Sequence, residues 1–314
     1  MEAAAAIEER REGTKVVFVT AYSSYALSAF EVNALDYVLK PIDPVRFAKA
    51  MTRVRETFAA VPRLQRGDAG AAVQTFGQLA VLSSAPGEPA KWRTLKSKEL
   101  FAYLLQYRER WLTRDLLLEE LWPSYENDKA LVHLHTAVYQ VRRALKALDP
   151  GAALEYSLES YRLSGERLVT DADLFEREAD KAFAGERTDE AYEAAVKCWS
   201  LYRGHYLDRE GYGWARARTE RLHQAYVELT VRLVRHELKA GKSGMALRRA
   251  RRSGELSPFS EQLALAELAC LRESGEPAAM KRKYETFCTH LENELGAAPS
   301  DAFKMKYAEL AGYA

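Results

Sequence analysis

A chain of 314 residues exceeds what one small domain needs and suits two or three. With 47% hydrophobic and 29% charged residues it is not a disordered protein, and it contains no run of about 18 uncharged apolar residues that could cross a membrane. Lys and Arg total 46 against 45 Asp and Glu, a formal net charge of +1, so attraction for a polyanion must come from local clustering rather than from the sum.

The opening MEAAAAIEERREG has too short an alanine run, flanked by acids, to act as a secretory signal. Cys198, Cys270 and Cys288 lack C-x-x-C spacing and read as thiols of a reducing compartment, which places the protein in the cytoplasm. Composition shifts and Gly/Pro punctuation divide the chain into residues 1–61, a linker over 62–72, a block over 73–170 and a last block over 171–314. The expected fold class is mixed and mainly α.

In the first block TKVVFVTA is a continuous apolar run, the mark of a strand buried on both faces. YSSYALSAFEVNA reads as a helix, DYVLKPI as a second strand, and DPVRFAKAMTRVRETF as an amphipathic helix with Asp43 as N-cap. This β-α-β-α order is a piece of an open parallel sheet. It resembles the second half of a response-regulator receiver domain, of flavodoxin-like fold. On that resemblance Thr20 is the switch residue after the fourth strand, Tyr37 the aromatic of the fifth, and Lys40, before Pro41, the partner of the phosphorylated aspartate. The first three strands have no counterpart here, so no phosphoacceptor and no metal-binding acid can be named. Met1 is expected to fall inside what was a complete domain, and VVFV to form an exposed apolar edge. Residues 1–60 are therefore expected to be poorly ordered or paired with another chain, unless the sequence is a partial record of a longer protein. A sensor histidine kinase is implied as partner only for an intact receiver.

The second block opens with three short β segments, VQTF, QLAVLSS and PAKWRTL, expected to form a small antiparallel sheet. KSKELFAYLLQYR follows as a helix with Leu100, Phe101, Leu104 and Leu105 on one stripe and Ser97 as N-cap. Thr113 opens TRDLLLEELWP, and a third helix runs from roughly Ala130 to Leu148. At 100° per residue its buried stripe is Leu131, Leu134, Val138, Val141 and Leu145, while Val132, His133, Thr136, Tyr139, Gln140 and Arg143 face away. Gln suits adenine, Arg suits guanine O6/N7, and a Thr methyl suits the thymine methyl. His133, Thr136, Gln140 and Arg143 are therefore the expected base readers, and Arg114, Lys129, Arg142 and Lys146 the expected phosphate contacts. EYSLESYRLS reads as a β-hairpin turning at Glu159-Ser160, the wing. Sheet, three helices and hairpin, with W-x-R and ELWP in place, resemble an OmpR-type winged helix-turn-helix, and more closely that of SARP-type bacterial activators.

The last block is almost all helical pattern, broken at Gly185, Gly204, Gly241, Pro258, Gly275 and Gly296. Helices joined by short turns suggest a tetratricopeptide-like array, which buries a continuous core and offers a surface for proteins rather than for chemistry. SGMALRRARRSGELSP and PAAMKRKYETFCTHLENELGAAPS resemble the bacterial transcriptional activation domain that follows SARP-type winged helices. Arg248, Arg249, Arg251 and Arg252 read as a solvated basic face, and Tyr202, Tyr206, Tyr212 and Trp214 as core or inter-domain packing.

Gly241-Lys242-Ser243 lacks the upstream Gly and the strand of a phosphate loop. His133 and His135, two apart on a helix, cannot share a metal, and G-x-S-x-G is missing. The chain is therefore read as no enzyme and as needing no cofactor. The expected partners are double-stranded promoter DNA, with the chain as a homodimer, and RNA polymerase. The alternative is a helical-repeat adaptor whose winged helix does not bind DNA.

Overall fold

Aromatic and aliphatic side chains from both later blocks meet in one interior. The computed structural model describes residues 17–20, 36–40, 42–43, 47, 72–81, 92–148, 151–165, 168–184 and 189–312. The chain divides into two units, Met1–Arg66 and Gly67–Ala314.

In the first unit β1 (Val17–Thr20) and β2 (Asp36–Leu39) pair in parallel, with Phe18 opposite Tyr37 and Thr20 opposite Leu39. The amide of Lys40 donates to the Thr20 carbonyl at 2.7 Å, which extends the pairing by one residue. Val38 is buried and Val19 is exposed. Asp43 accepts at its carbonyl from the amide of Phe47 at 2.9 Å. The helix expected over YSSYALSAFEVNA lies outside the described residues.

The second unit begins with β3 (Ala72–Gln74) and β4 (Ala80–Val81), which pair antiparallel. The described part of PAKWRTL, Trp92–Leu95, is not a strand. Thr94 is instead the extended N-cap of α1 (Leu95–Gln106), its hydroxyl accepting from the Ser97 amide. Ser97 is therefore not the cap; it lies buried in the first turn and donates its hydroxyl to the Thr94 carbonyl at 2.8 Å. The third strand of the sheet is β8 (Val169–Thr170), parallel to β3.

Leu112–Thr113 forms β5, and Thr113 caps α2 (Arg114–Leu121) as its pattern predicts. Then α3 (Asn127–Leu148) starts three residues before Ala130, because the Glu126 carbonyl already accepts the Ala130 amide. Its Leu134, Val138, Val141 and Leu145 are buried, joined by Ala130 and Ala137, while Leu131 is half-buried. The hairpin of β6 (Ala153–Ser157) and β7 (Ser160–Ser164) joins β5 in a second three-stranded sheet. It turns at Leu158-Glu159, one residue earlier than expected. Both have positive φ, 45° and 54°, as a two-residue primed turn demands, although neither carries the Asn or Gly that such a turn favours.

The rest is helical: α4 (Asp171–Ala184), α5 (Asp189–Leu201), a single 3-10 turn (Gly213–Ala215), α6 (Arg216–Lys239), α7 (Ser243–Leu256), α8 (Glu261–Glu273), α9 (Pro277–Leu295) and α10 (Asp301–Ala311). Neighbours in sequence pack on each other, and α8 also packs on α10. Gly241, Gly275 and Gly296 have φ of 60–71°, the left-handed backbone that ends a helix without a Cβ penalty. The basic run on α7 is divided. Arg249 turns inward onto the fully buried Glu237, with Nη2–Oε1 at 2.6 Å and the guanidinium 4.4 Å from the Trp199 ring centre. Arg251 and Lys283 both bind Glu267. So only part of this run is a solvated face.

One core runs without a break across residue 170. Leu100, Phe101, Leu117 and Leu134 belong to the same apolar cluster as Phe175, Tyr202 and Tyr226. Tyr202 stacks on Tyr226 at 4.1 Å and touches Phe76 at 4.7 Å. Tyr103 meets Trp214 edge-on at 5.1 Å. The four aromatics singled out from the sequence are thus packing groups between the two blocks.

Candidate nucleic-acid interface

The outward face of α3 runs from Val132 to Lys146. This stretch carries Arg142, Arg143 and Lys146 and not one acid. Val132 and Tyr139 are 64% and 62% exposed, a large apolar area to leave in water. His133 is exposed and rests edge-on against Tyr125 at 5.1 Å. Thr136 donates its hydroxyl to the Val132 carbonyl at 2.9 Å, so its proton is engaged within the helix. Gln140 is half-buried and Arg143 exposed. The four expected base readers therefore share one helix, with Gln140 the least accessible.

The four expected phosphate contacts divide. Lys146 is exposed near the end of α3. Lys129 pairs with Glu126 at 2.8 Å, and both are well exposed. Arg142 reaches sideways and donates from Nε to the Leu154 carbonyl of β6 at 3.0 Å. Arg114 is bound to the hairpin turn twice. Its amide donates to the Glu159 carbonyl at 2.7 Å and its Nη1 to the Glu159 carboxylate at 2.9 Å, while Nε meets Asp115. The hydrogen bond to Asp115 and the charge of Glu159 raise the Arg114 pKa above its ordinary value. Arg114 and Arg142 thus hold the hairpin to α2 and α3. This fixes where the turn stands beside the outward face.

Leu158 at that turn is 94% exposed with φ of 45°. Leucine there is strained, and Asn tolerates the left-handed region. Leu158→Asn is expected to stabilise the protein by about 1 kcal/mol, read as a raised denaturant midpoint. An unchanged or lowered midpoint would refute the strain.

The sequence reading missed the junction that supports this face. Asp171, buried at the start of α4, accepts from the Thr75 amide (2.7 Å), the Thr75 hydroxyl (2.6 Å), the Phe76 amide (3.2 Å) and the Ala172 amide (2.9 Å). Burial nevertheless pushes its pKa above the usual carboxylate value, against those donors. Two residues on, Thr170 and Asp173 cap α4 reciprocally, each side chain accepting the other's amide at 3.0 Å. Asp173 also pairs with Arg108 of the α1–β5 turn and with Arg218 of α6. Burial works to raise the Asp173 pKa, but the Thr170 hydrogen bond and the two guanidiniums overcome it and hold the pKa below its ordinary value. The signal was in the sequence as T-x-x-D at Thr170–Asp173. Farther on, a loop clasps the end of β3: Gly77 N donates to His205 O, Leu207 N to Thr75 O and Arg209 N to Gly77 O. A Cβ on Gly204 would stand 3.2 Å from the Gly77 Cα, so the close crossing needs a glycine there.

Of the receiver-type residues, Thr20 and Lys40 are joined through their backbones and the Lys40 side chain is exposed. Tyr37 lies on β2. Among the described residues no group of three or more His, Cys, Asp and Glu could hold a metal ion, and no helix is long and apolar enough to cross a membrane.

Residues 170–310 match the family model of the bacterial transcriptional activator domain. An uncharacterized response regulatory protein of Vibrio vulnificus is 47% identical over 64 residues, 20% of this chain and 26% of that one. The transcriptional regulatory protein LytR of Staphylococcus aureus is 42% identical over 59 residues, 19% of this chain and 24% of its own. The chain spans about a quarter or less of the length of the curated relatives it matches. Among solved structures, Mycobacterium tuberculosis EmbR, in complex with a low affinity phosphopeptide, shares the fold at a TM-score of 0.63 and 20% identity, over 78% of this chain and 66% of that one. The match to the bacterial transcriptional activator domain thus takes in residues 170–310, somewhat less than half of the chain.

Proposed function

We propose that the protein is a sequence-specific, DNA-binding transcription regulator of the two-component response-regulator class. Residues 1–61 act as a receiver fragment, 62–72 as a linker, 73–170 as an OmpR-type winged helix, and 171–314 as a tetratricopeptide-like activation domain. The observation that carries this reading is the outward face of α3, free of acids from Val132 to Lys146 and held beside a hairpin by Arg114 and Arg142. An acid-free face complements the phosphate field, and a helix fits the major groove. The activator domain that follows directly supports it.

In this reading α3 enters the major groove. Arg143 and Gln140 read base edges, with His133 and Thr136 beside them, and Lys146 meets phosphate. Arg114 and Arg142 position the wing, and Lys129 reaches phosphate by leaving Glu126, since an exposed pair of this kind is worth only about 0–1 kcal/mol. The protein acts in the cytoplasm as a homodimer on repeated half-sites of promoter DNA, with the helical domain meeting RNA polymerase. It is no enzyme, and a sensor kinase belongs to the intact receiver.

Selection of binding sites from random duplex DNA by the full chain, at two salt concentrations, tests this. An enriched motif with repeats is expected, its affinity falling steeply with salt. Arg143→Ala should weaken that motif by about 1–3 kcal/mol and relax one position, whereas Lys146→Ala should weaken all sequences alike. No retention even at low salt would overturn the reading in favour of a helical-repeat adaptor.

A further inference from the structure

The reading above takes its specificity from polar side chains, yet two large groups exposed on the outward face of α3 are apolar. Val132 and Tyr139 stand 64% and 62% exposed. Between them Thr136 has its hydroxyl proton engaged on the Val132 carbonyl, and its methyl is the remaining group with no partner to find. Positions 132, 136 and 139 follow i, i+4, i+7 spacing, so the three lie on one line along the helix. The line ends among Arg142, Arg143 and Lys146, and no acid interrupts it. An apolar strip set in a cationic face fits a polyanion that itself presents methyl groups. Duplex DNA does so in the major groove, through the C5-methyl of thymine.

We propose that Val132 and Tyr139 are specificity-determining residues that read thymine methyl groups. This rests on the DNA-binding reading. At 1.5 Å per residue the two side chains stand about 10 Å apart, which is about three base-pair steps. The strip therefore selects a site with thymines about three positions apart, and Thr136 faces the two base pairs between them. Lys146 helps to fix the register through phosphate, and the strip supplies discrimination that does not depend on salt.

The test uses the full chain and its selected duplex, with each thymine replaced singly by deoxyuridine, which removes only the methyl. Two positions about three steps apart are expected where the replacement weakens binding roughly four-fold, the worth of one buried methyl. Val132→Ala should abolish the sensitivity at one of them and Tyr139→Ala at the other, with the salt dependence unchanged. Both side chains are exposed, so neither variant should shift the thermal midpoint. Wild-type binding that ignores every deoxyuridine, or a methyl sensitivity that survives in both variants, would overturn the inference while leaving DNA binding intact. Failure to select any duplex would remove DNA binding itself and this inference with it. If the variants change self-association without DNA but leave the methyl sensitivity alone, the strip is a surface between copies and the inference fails.

Discussion

Asp171→Ala is expected to destabilise the Gly67–Ala314 unit by about 3 kcal/mol or more, and to lower its thermal midpoint by roughly 6–12 °C. The carboxylate accepts from three backbone amides and one hydroxyl, and Thr75 and Asp171 are themselves buried. Alanine leaves those donors without partner or water, and each orphan costs about 1–3 kcal/mol. The loss should also reach α3, because Phe76, whose amide Asp171 holds, shares one apolar core with α1 and α3. Asp171→Asn separates charge from hydrogen bonding. Asn keeps the carbonyl that serves the Thr75 amide and gives up one acceptor, so a smaller loss, about 1–2 kcal/mol, is expected. Burial already disfavours the charge, as the raised pKa of Asp171 indicates. Equal losses for Ala and Asn, measured by urea denaturation, would show that the charge and not the acceptor count holds the junction.

Glu237→Ala should weaken the helical domain by about 3–5 kcal/mol, the usual result of stranding one member of a buried ion pair. Arg249 is bound to Glu237 through Nε and Nη2, and Tyr192 donates to the same carboxylate at 2.8 Å. With Glu237 gone, the guanidinium loses its carboxylate and is left beside the Trp199 ring and the Tyr192 hydroxyl, neither of which neutralises its charge. The double replacement Glu237→Met with Arg249→Met is expected to recover most of that loss, since it removes both charges and keeps the volume. Calorimetric unfolding of the two variants beside the unaltered protein decides it. A double variant no more stable than Glu237→Ala would mean that the pair supplies net stability rather than a fixed arrangement of α6 and α7.

The helices of the last two blocks were legible because their apolar residues recur at helical spacing over long stretches. The residues expected on the buried stripes of α1 and α3 are buried, apart from the half-buried Leu131, but Ala102, Tyr103, Ala130 and Ala137 are buried with them. Errors gathered where two local solutions compete. Thr94 and Ser97 both suit a cap, and only the extended backbone at Thr94 decides between them. The hairpin turn was displaced because Leu158 and Glu159 carry no turn chemistry, so Ser160 drew the reading one residue along. The third strand of the first small sheet could not be read at all. Val169–Thr170 is two residues long, and its partner lies far back in the chain. The same holds for the buried charged groups: a sequence shows that Asp171 and Asp173 at the junction, Arg218, Glu237 and Arg249 are ionisable, but burial that depends on tertiary packing turns them inward. On α3 the face was legible, but which cations stay available was not. That depends on the hairpin, whose backbone carbonyls claim the Arg114 amide and the Arg142 guanidinium.

The parallel pairing of β3 with β8, and the bond from Thr75 to Asp171 across 96 positions, set an order of events during synthesis. Contacts this far apart in the chain close late, because the loop between them must be gathered first. Until Asp171 has left the ribosome, the strand end at Thr75 and Phe76 has no acceptor, although all of α1, α2 and α3 is already made. Nascent chains halted before that point would hold α3 on an unfinished base. Protection from protease is expected to rise when α4 emerges and to be complete only after Tyr202, the His205–Arg209 loop and Tyr226 have followed, because these close the same strand end and the same core.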